Sequence, residues 1–443
     1  MKQMKQTKQT KEQIKEYNKT YLFAKFGKSI KFNPKSWSGL GGDVEAPSLI
    51  RSFARNNPND LIIIIGKNDL ENCDIPEKNI ISIQDYYKKK NNIKNNKELG
   101  FKYIFEELKD TKIDGVFILG GPVGSTNLPD TSYRRKEWEK EGKKIFAKCL
   151  ECNLNYVAPL VYFLNKTKVP WLHILNDPRY KMIGRDCLIA PEICLSQYNE
   201  EIVYSHLDNF EDQNIVKEKR QTIYSGIEKM FLTHFDKFND EGIEKDIKFL
   251  IVLNEGNNGV KSRYPELKKY VLDYIDDVEI YGKWDKKTIK DDERFKGSIP
   301  FIELQELIPR VKYSFIIPIK EGWVTMKFWE MILNGIIPFM HPDYDSQNNL
   351  KVPKFLRIKD PEELHKKIEY LEKNPEIYQK LLKELKSMIT EGDFNGKNIS
   401  KMLIKNAENF KEKYNLYNKN KINFNLEQNT TLTNSDSFDE SEW

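Results

Sequence analysis

Short aliphatic runs alternate with amphipathic stretches along the chain. In the first half the runs are Tyr21 to Phe32, Leu61 to Gly66 (LIIIIG), Gly115 to Gly121 (GVFILGG), Trp171 to Asp177 (WLHILND) and Ile193 to Gln197. Uninterrupted apolar runs of this length suit strands covered on both faces of a parallel sheet. The second half restarts the pattern with Ile247 to Leu253 (IKFLIVL), Asp277 to Gly282, Tyr313 to Ile319 and Ile336 to Met340. Helices are predicted from the glycine loop Ser38–Asp43 to about Arg55, over Ile145 to Leu164, from about Tyr264, over Ile302 to Arg310, and over Thr325 to Leu333. Two amphipathic helices follow at Pro361–Lys373 and Pro375–Thr390. Two successive strand–helix blocks predict an α/β protein of two Rossmann-like domains whose parallel sheets face a cleft.

The expected boundaries are a first domain over 19–215 and a second over 216–397. A basic leader over 1–18 precedes them. A last helix from Asn398 to Tyr414, within 398–417, is expected to cross back and brace the first lobe. The stretch 418–443 reads as a disordered acidic tail. Two insertions, Tyr86 to Lys97 and Asn127 to Glu139, read as basic loops at the functional edge of the sheet. Their cations Lys88, Lys89, Lys90, Arg134, Arg135 and Lys136 either contact phosphates or are solvated positions in a lysine-rich chain.

Composition narrows this only partly. The 443 residues exceed one ordinary core, and 39% hydrophobic content supplies two. The balance of 72 basic against 67 acidic residues gives +5, which permits a polyanionic partner without requiring one. No apolar run approaches the roughly 18 residues of a membrane span, so no membrane partner is expected. Five cysteines (Cys73, Cys149, Cys152, Cys187 and Cys194) with no disulfide framework point to a reducing compartment, and their spacing is wrong for a zinc ribbon.

The segment 314–345 (SFIIPIKEGWVTMKFWEMILNGIIPFMHPDYD) carries the strongest chemical pattern. A strand runs into a glycine loop, then a short helix bearing Lys327 and Glu330, then a second strand. A carboxylate in the first turns of such a helix can accept both hydroxyls of a ribose, and a nearby lysine can meet a diphosphate. The bland alternative is an exposed i,i+3 ion pair. Apolar Phe328, Trp329, Met331 and Ile332 argue that the helix is buried. Asp177, after a buried strand, suits a general base or an Asx turn before Pro178. Gly41 and Gly42 allow close backbone approach to a ligand, while Asp43 suits an N-cap and Glu45 a sugar contact. His341 ends a strand near this segment and His173 lies inside one; both read as structural at least as readily as functional.

These residues resemble the GT-B glycosyltransferases, and within them the DNA β-glucosyltransferases of T-even bacteriophages. Thr325-Met326-Lys327-Phe328-Trp329-Glu330 stands where that family has Thr-x-Arg-x-Trp-Glu, with lysine replacing the arginine. Phe295 to Phe301 resembles the loop that holds the uracil ring, which implies contacts from the Ile299 main chain and the Phe301 side chain. Asn254 to Arg263 resembles the diphosphate loop, with Arg263 in place and Lys261 standing in for a second arginine. Leu175-Asn176-Asp177-Pro178-Arg179 resembles the run whose aspartate is the base, which places Arg179 near DNA. By the same resemblance Glu45 contacts the sugar.

The resemblance implies a monomeric, inverting UDP-glucose-dependent enzyme of the cytoplasm, a host cell's if phage-encoded. It implies Mg²⁺ or Mn²⁺ assistance and transfer to a hydroxymethylated pyrimidine everted from double-stranded DNA. Two other readings stay open: the same donor with a glycan, lipid or protein acceptor, and a non-catalytic nucleotide- or DNA-binding module.

Overall fold

A computed structural model of the chain describes residues 17–25, 29–33, 36–37, 41–73, 77–94, 102–120, 160, 169, 172–175, 193–196, 220–222, 243–255, 262–318, 324–346, 348, 350–392 and 394–409. The first sheet holds β1 (Thr20–Lys25), β2 (Leu61–Ile65), β3 (Ile80–Ser82), β4 (Gly115–Gly120), β5 (Leu172–Leu175), β6 (Ile193–Ser196) and β7 (Arg220–Thr222). They lie in the order 3-2-1-4-5-6-7, every pairing parallel. The second sheet holds β8 (Ile247–Val252), β9 (Glu279–Tyr281), β10 (Phe295–Gly297), β11 (Val311–Ile316) and β12 (Ile337–Met340). Its order, 10-9-8-11-12, repeats the same winding with every pairing parallel. Each sheet therefore reverses direction once, between β1 and β4 and between β8 and β11. Ligands of open α/β sheets settle in the crevice that such a reversal opens at the carboxyl ends of the strands.

Burial explains the aliphatic runs. Every residue of β1 and of β2 is buried, as a sheet covered on both faces requires. The helix Gly41–Asn56 lays Ala46, Leu49, Ile50 and Phe53 on one face. Phe53 meets Tyr21 at 5.0 Å and Phe23 at 5.2 Å, both edge-on. The helical residues 396–409 bring Ile399, Leu403 and Ala407 into this same first-lobe cluster, and Lys19 Nζ lies 2.6 Å from Glu408. The chain thus returns to the first sheet after building the second. No helix among the described residues is long and apolar enough to cross a membrane.

Two expectations are corrected. The first strand is Thr20–Lys25 and does not reach Phe32, because the Asp69 carboxylate takes the backbone N–H groups of Phe32 and Asn33 that a neighbouring strand would otherwise bind. Ile30 keeps only an isolated bridge to Asn68. Of the stretch Tyr86 to Lys97 expected as a loop, Tyr86 to Asn91 lies instead in a helix, Ile83–Asn91, and 95–97 lie outside the described residues. Ser82 caps it by accepting from the Asp85 N–H, and Asn92 closes it in the left-handed region at φ 55°. Ile83 and Tyr87 face inward one turn apart, a periodicity that the Lys88–Lys90 run masks in the sequence. The expected 145–164 helix (Leu160 apart) and the basic segment 127–139 lie outside the described residues.

Candidate functional site

The second sheet's reversal lies between the end of β8 and the end of β11, and Arg263 spans it. Its guanidinium donates to the Asn254 carbonyl, just past β8, and to the Ile317 carbonyl, just past β11, at 3.4 Å. The loop around it is closed by side chains. Glu255 accepts from the Ser262 hydroxyl at 2.8 Å, the Asp285 N–H at 2.8 Å and the Thr288 hydroxyl at 3.3 Å. Asn254 Oδ1 accepts from the Lys283 N–H at 2.7 Å. The cation is fixed where strand ends and loops converge, which is what an anion grip needs.

Across the reversal, β11 leads to the helix Met326–Leu333, every residue of which is buried except Lys327. The solvated-pair alternative therefore fails for Glu330, whose side chain is only 3% exposed. Its Oε2 lies 2.6 Å from Lys327 Nζ, and Lys327 keeps 21% exposure. The helix is pinned at both ends. Tyr344 Oη accepts from the Thr325 N–H at 3.0 Å and donates to the Thr325 carbonyl at 3.2 Å. At the far end Lys245 Nζ donates to the Asn334 carbonyl at 2.8 Å, a cation where the helix dipole is negative. The N-terminal end of this helix, Lys327 and Arg263 each contribute positive potential, and Glu330 is the buried carboxylate beside Lys327.

Neutralising that carboxylate's partner has a calculable cost. Lys327→Met should destabilise the protein by about 1–3 kcal/mol, because Glu330 is left buried beside no cation. Adding Glu330→Leu should recover much of that loss. Urea unfolding of the two variants checks both expectations.

Ile299 is half-buried against the cluster of Leu250, Leu304 and Val311, and Phe301 is buried. The segment ahead of them is held by Arg294, which donates to the Leu272 carbonyl at 2.9 Å and pairs with Asp292 at 2.8 Å, holding that carboxyl below its usual range. Burial, reinforced by the hydrogen bond to Glu279, pushes the neighbouring Tyr281 phenol up to about 12, so it stays neutral. Glu45 is buried one turn into the helix that Gly41 and Gly42 begin. That helix contacts Met326–Leu333, bringing the first lobe against the second.

The remaining expected residues fall in two groups. Lys88, Lys89 and Lys90 face Asp85 at 3.9 Å, Glu71 at 2.6 Å and Glu107 at 2.6 Å. Asp177, Arg179, Lys261, Arg134, Arg135 and Lys136 lie outside the described residues. β5 ends at Leu175, so the chain leaves the carboxyl edge of the first sheet two residues before Asp177. His341 is a satisfied structural histidine: Nδ1 accepts from the Asp343 N–H at 3.1 Å, which leaves Nε2 to donate to Glu266 at 3.2 Å. Sequence reasoning missed Trp37, Tyr344 and Gly282. Trp37 alone left a signal, an aromatic immediately before the glycine loop.

The architecture is shared with solved sugar-transfer enzymes. T4 phage BGT in complex with UDP and Mn²⁺ superposes with a TM-score of 0.52 at 12% identity, over 89% of this chain and 99% of that one. The chain has the GT-B fold. A second GT-B structure, the DNA-modifying enzyme β-glucosyltransferase with and without uridine diphosphoglucose, gives 0.51 at 13% identity over 89% of this chain and 99% of that one. Anabaena Alr3699/HepE in complex with UDP and glucose gives 0.50 at 10% identity over 88% and 100%. No protein-family model and no curated protein sequence matches the chain. Two Rossmann-like lobes in GT-B arrangement account for the paired 3-2-1-4-5 windings.

Proposed function

We propose that the chain is a UDP-sugar-dependent, inverting glycosyltransferase that moves glucose onto a hydroxymethylated pyrimidine of double-stranded DNA. The observation that carries the donor half is the Lys327–Glu330 pair on the buried helix that follows β11, with Arg263 bonded to the carbonyl just past the end of that strand. Glu330 accepts the ribose hydroxyls, releasing Lys327 to the diphosphate, where Arg263 and the helix N-terminus share the charge. Ile299 and Phe301 hold the uracil, and Gly41, Gly42 and Glu45 the sugar. Lys261 adds a second cation to the phosphate loop.

In the transfer step the acceptor hydroxyl oxygen bonds to the anomeric carbon as that carbon's bond to the diphosphate breaks. Asp177 takes the hydroxyl proton, and UDP leaves with the bonding pair. Attack from the face opposite the leaving group inverts the anomeric centre. Among the described residues no three His, Cys, Asp or Glu side chains converge on a possible metal position. No step here runs through Mg²⁺ or Mn²⁺.

DNA as acceptor rests on the likeness to the DNA-modifying β-glucosyltransferase and on the basic segments. A different acceptor, such as a glycan, is the second reading. It is favoured by Lys88, Lys89 and Lys90, which already face carboxylates rather than standing open to a DNA backbone. One experiment separates the readings: incubation with UDP-glucose and duplex DNA containing 5-hydroxymethylcytosine, followed by mass analysis of the nucleosides. A hexose increment on the modified base is expected. UDP-glucose hydrolysis without that increment would move the acceptor elsewhere, and inertness toward every donor would leave a binding module.

A further inference from the structure

We infer that Trp37 is a positioning residue through which the nucleotide end of the site sets the sugar-facing segment Gly41–Glu45. The inference rests on the donor reading above and extends it to a residue that contacts neither phosphate nor sugar.

Trp37 is anchored in the first lobe. Its Nε1 donates to the Lys31 carbonyl at 2.8 Å, which fixes the ring against its own loop. That loop is tied down in turn. Ile30 donates its N–H to the Lys67 carbonyl at 2.9 Å, and Ser36 Oγ donates to Asp69 at 2.9 Å. Asp69 also receives the N–H groups of Phe32 and Asn33. One carboxylate therefore gathers the whole turn that carries the tryptophan.

The ring itself belongs to the other lobe. It meets Phe301 edge to face, with centroids 5.1 Å apart and planes at 71°, and is buried within the second lobe's apolar cluster. Phe301 opens the helix that follows Ile299, the segment proposed to hold uracil. Only positions 38–40 separate Trp37 from the helix Gly41–Asn56, so the two are at most ~14 Å apart along the chain. An uracil seated on Phe301 thus rests on the ring whose backbone places Gly41, Gly42 and Glu45. Edge-to-face geometry is directional, so the contact transmits a position as well as burying area.

A purely structural tryptophan would give a different result from a positioning one. In Trp37→Ala we expect UDP affinity within about twofold of wild type, because the base and diphosphate contacts remain. UDP-glucose affinity should fall roughly tenfold, erasing the advantage the sugar confers, as a misplaced clamp would. Trp37→Phe should restore most of that advantage. Asp69→Ala, which loosens the turn without touching the ring, should show the same selective loss and supplies the test if Trp37→Ala does not fold. Calorimetric titration with UDP and with UDP-glucose reads all three variants. Equal weakening of both ligands, or no change in either, overturns the positioning role. Wild-type protein that binds neither ligand overturns the donor reading itself, and this inference with it.

Discussion

Asp177→Asn is expected to lower the rate of glycosyl transfer by roughly 10³-fold while leaving UDP affinity unchanged, within the range that a positioned general base contributes. The expectation follows from where the chain leaves the first sheet. β5 runs parallel between β4 and β6, pairing Leu175 with Gly120 on one side and with Ser196 on the other. Residues immediately beyond a parallel strand's carboxyl end open onto the crevice where ligands bind. Contact between Trp37, beyond β1, and Phe301, beyond β10, puts the carboxyl edges of the two sheets together. β5 thus ends on the side that faces the other lobe, and Asp177 is proposed as the base because it follows that end by two residues in the sequence. Asparagine keeps the size and the capacity for an Asx turn before Pro178, so a fall in rate would isolate the lost proton acceptor. The measurement is single-turnover transfer from UDP-glucose to hydroxymethylated DNA, paired with titration of UDP. Unchanged turnover in Asp177→Asn would move the base elsewhere.

Gly282→Ala should cost about 3 kcal/mol or more of donor-lobe stability and abolish UDP binding under conditions where the first lobe stays folded. The residue has φ +144°, a region closed to side chains, and an added Cβ would sit 1.9 Å from the Leu253 carbonyl oxygen. That oxygen is backbone of the β8 end, so it cannot swing aside as a side chain would. Gly282 also donates its N–H to the Gly297 carbonyl at 2.8 Å, linking the end of β9 to that of β10. The next N–H, from Lys283, holds Asn254 Oδ1 at the start of the loop proposed to bind phosphate. Adding one methyl group therefore disturbs the proposed uracil and diphosphate grips together. Thermal unfolding followed with and without UDP would show it as an early transition that UDP no longer shifts. A single transition at the wild-type temperature, with UDP binding intact, would show that the strand ends have room to separate.

The GT-B fold also bears on how the donor helix works. Glu330 is 3% exposed and tied to Lys327, so the two charges satisfy each other. A ribose that accepts nothing from Lys327 but donates two hydroxyls to Glu330 exchanges one partner for another without leaving the carboxylate bare. In the proposed site, lysine at 327 keeps the charge that arginine would bring yet lacks its planar fork, so more of the diphosphate would fall to Arg263.

The fold was legible because strands buried on both faces must be apolar at every position, and LIIIIG and IKFLIVL therefore announce themselves. Proline at the first position and a regular apolar face set the helices Pro361–Lys373 and Pro375–Thr390 to the residue. Short edge strands such as Ile80–Ser82 and Arg220–Thr222 were not legible, since three residues carry too little period to separate from a loop. Nor was the helix Ile83–Asn91, whose lysine run outweighed its inward Ile83 and Tyr87. Local sequence also marked Lys327 and Glu330 as chemistry, because charges amid apolar residues need a reason to be there, whereas Arg263, in a polar loop, stood out only through the resemblance of that loop to a known family. Their arrangement is a different matter. That Arg263 bridges two strand ends, that Asp69 gathers a turn, and that Trp37 of one lobe lies on Phe301 of the other all depend on contacts between residues tens to hundreds of positions apart. The sequence by itself determined which segments would be strands, helices and charged sites, since those follow from neighbours along the chain. Only the tertiary structure decided which of them meet, since that follows from the winding of two sheets and the packing of their carboxyl edges.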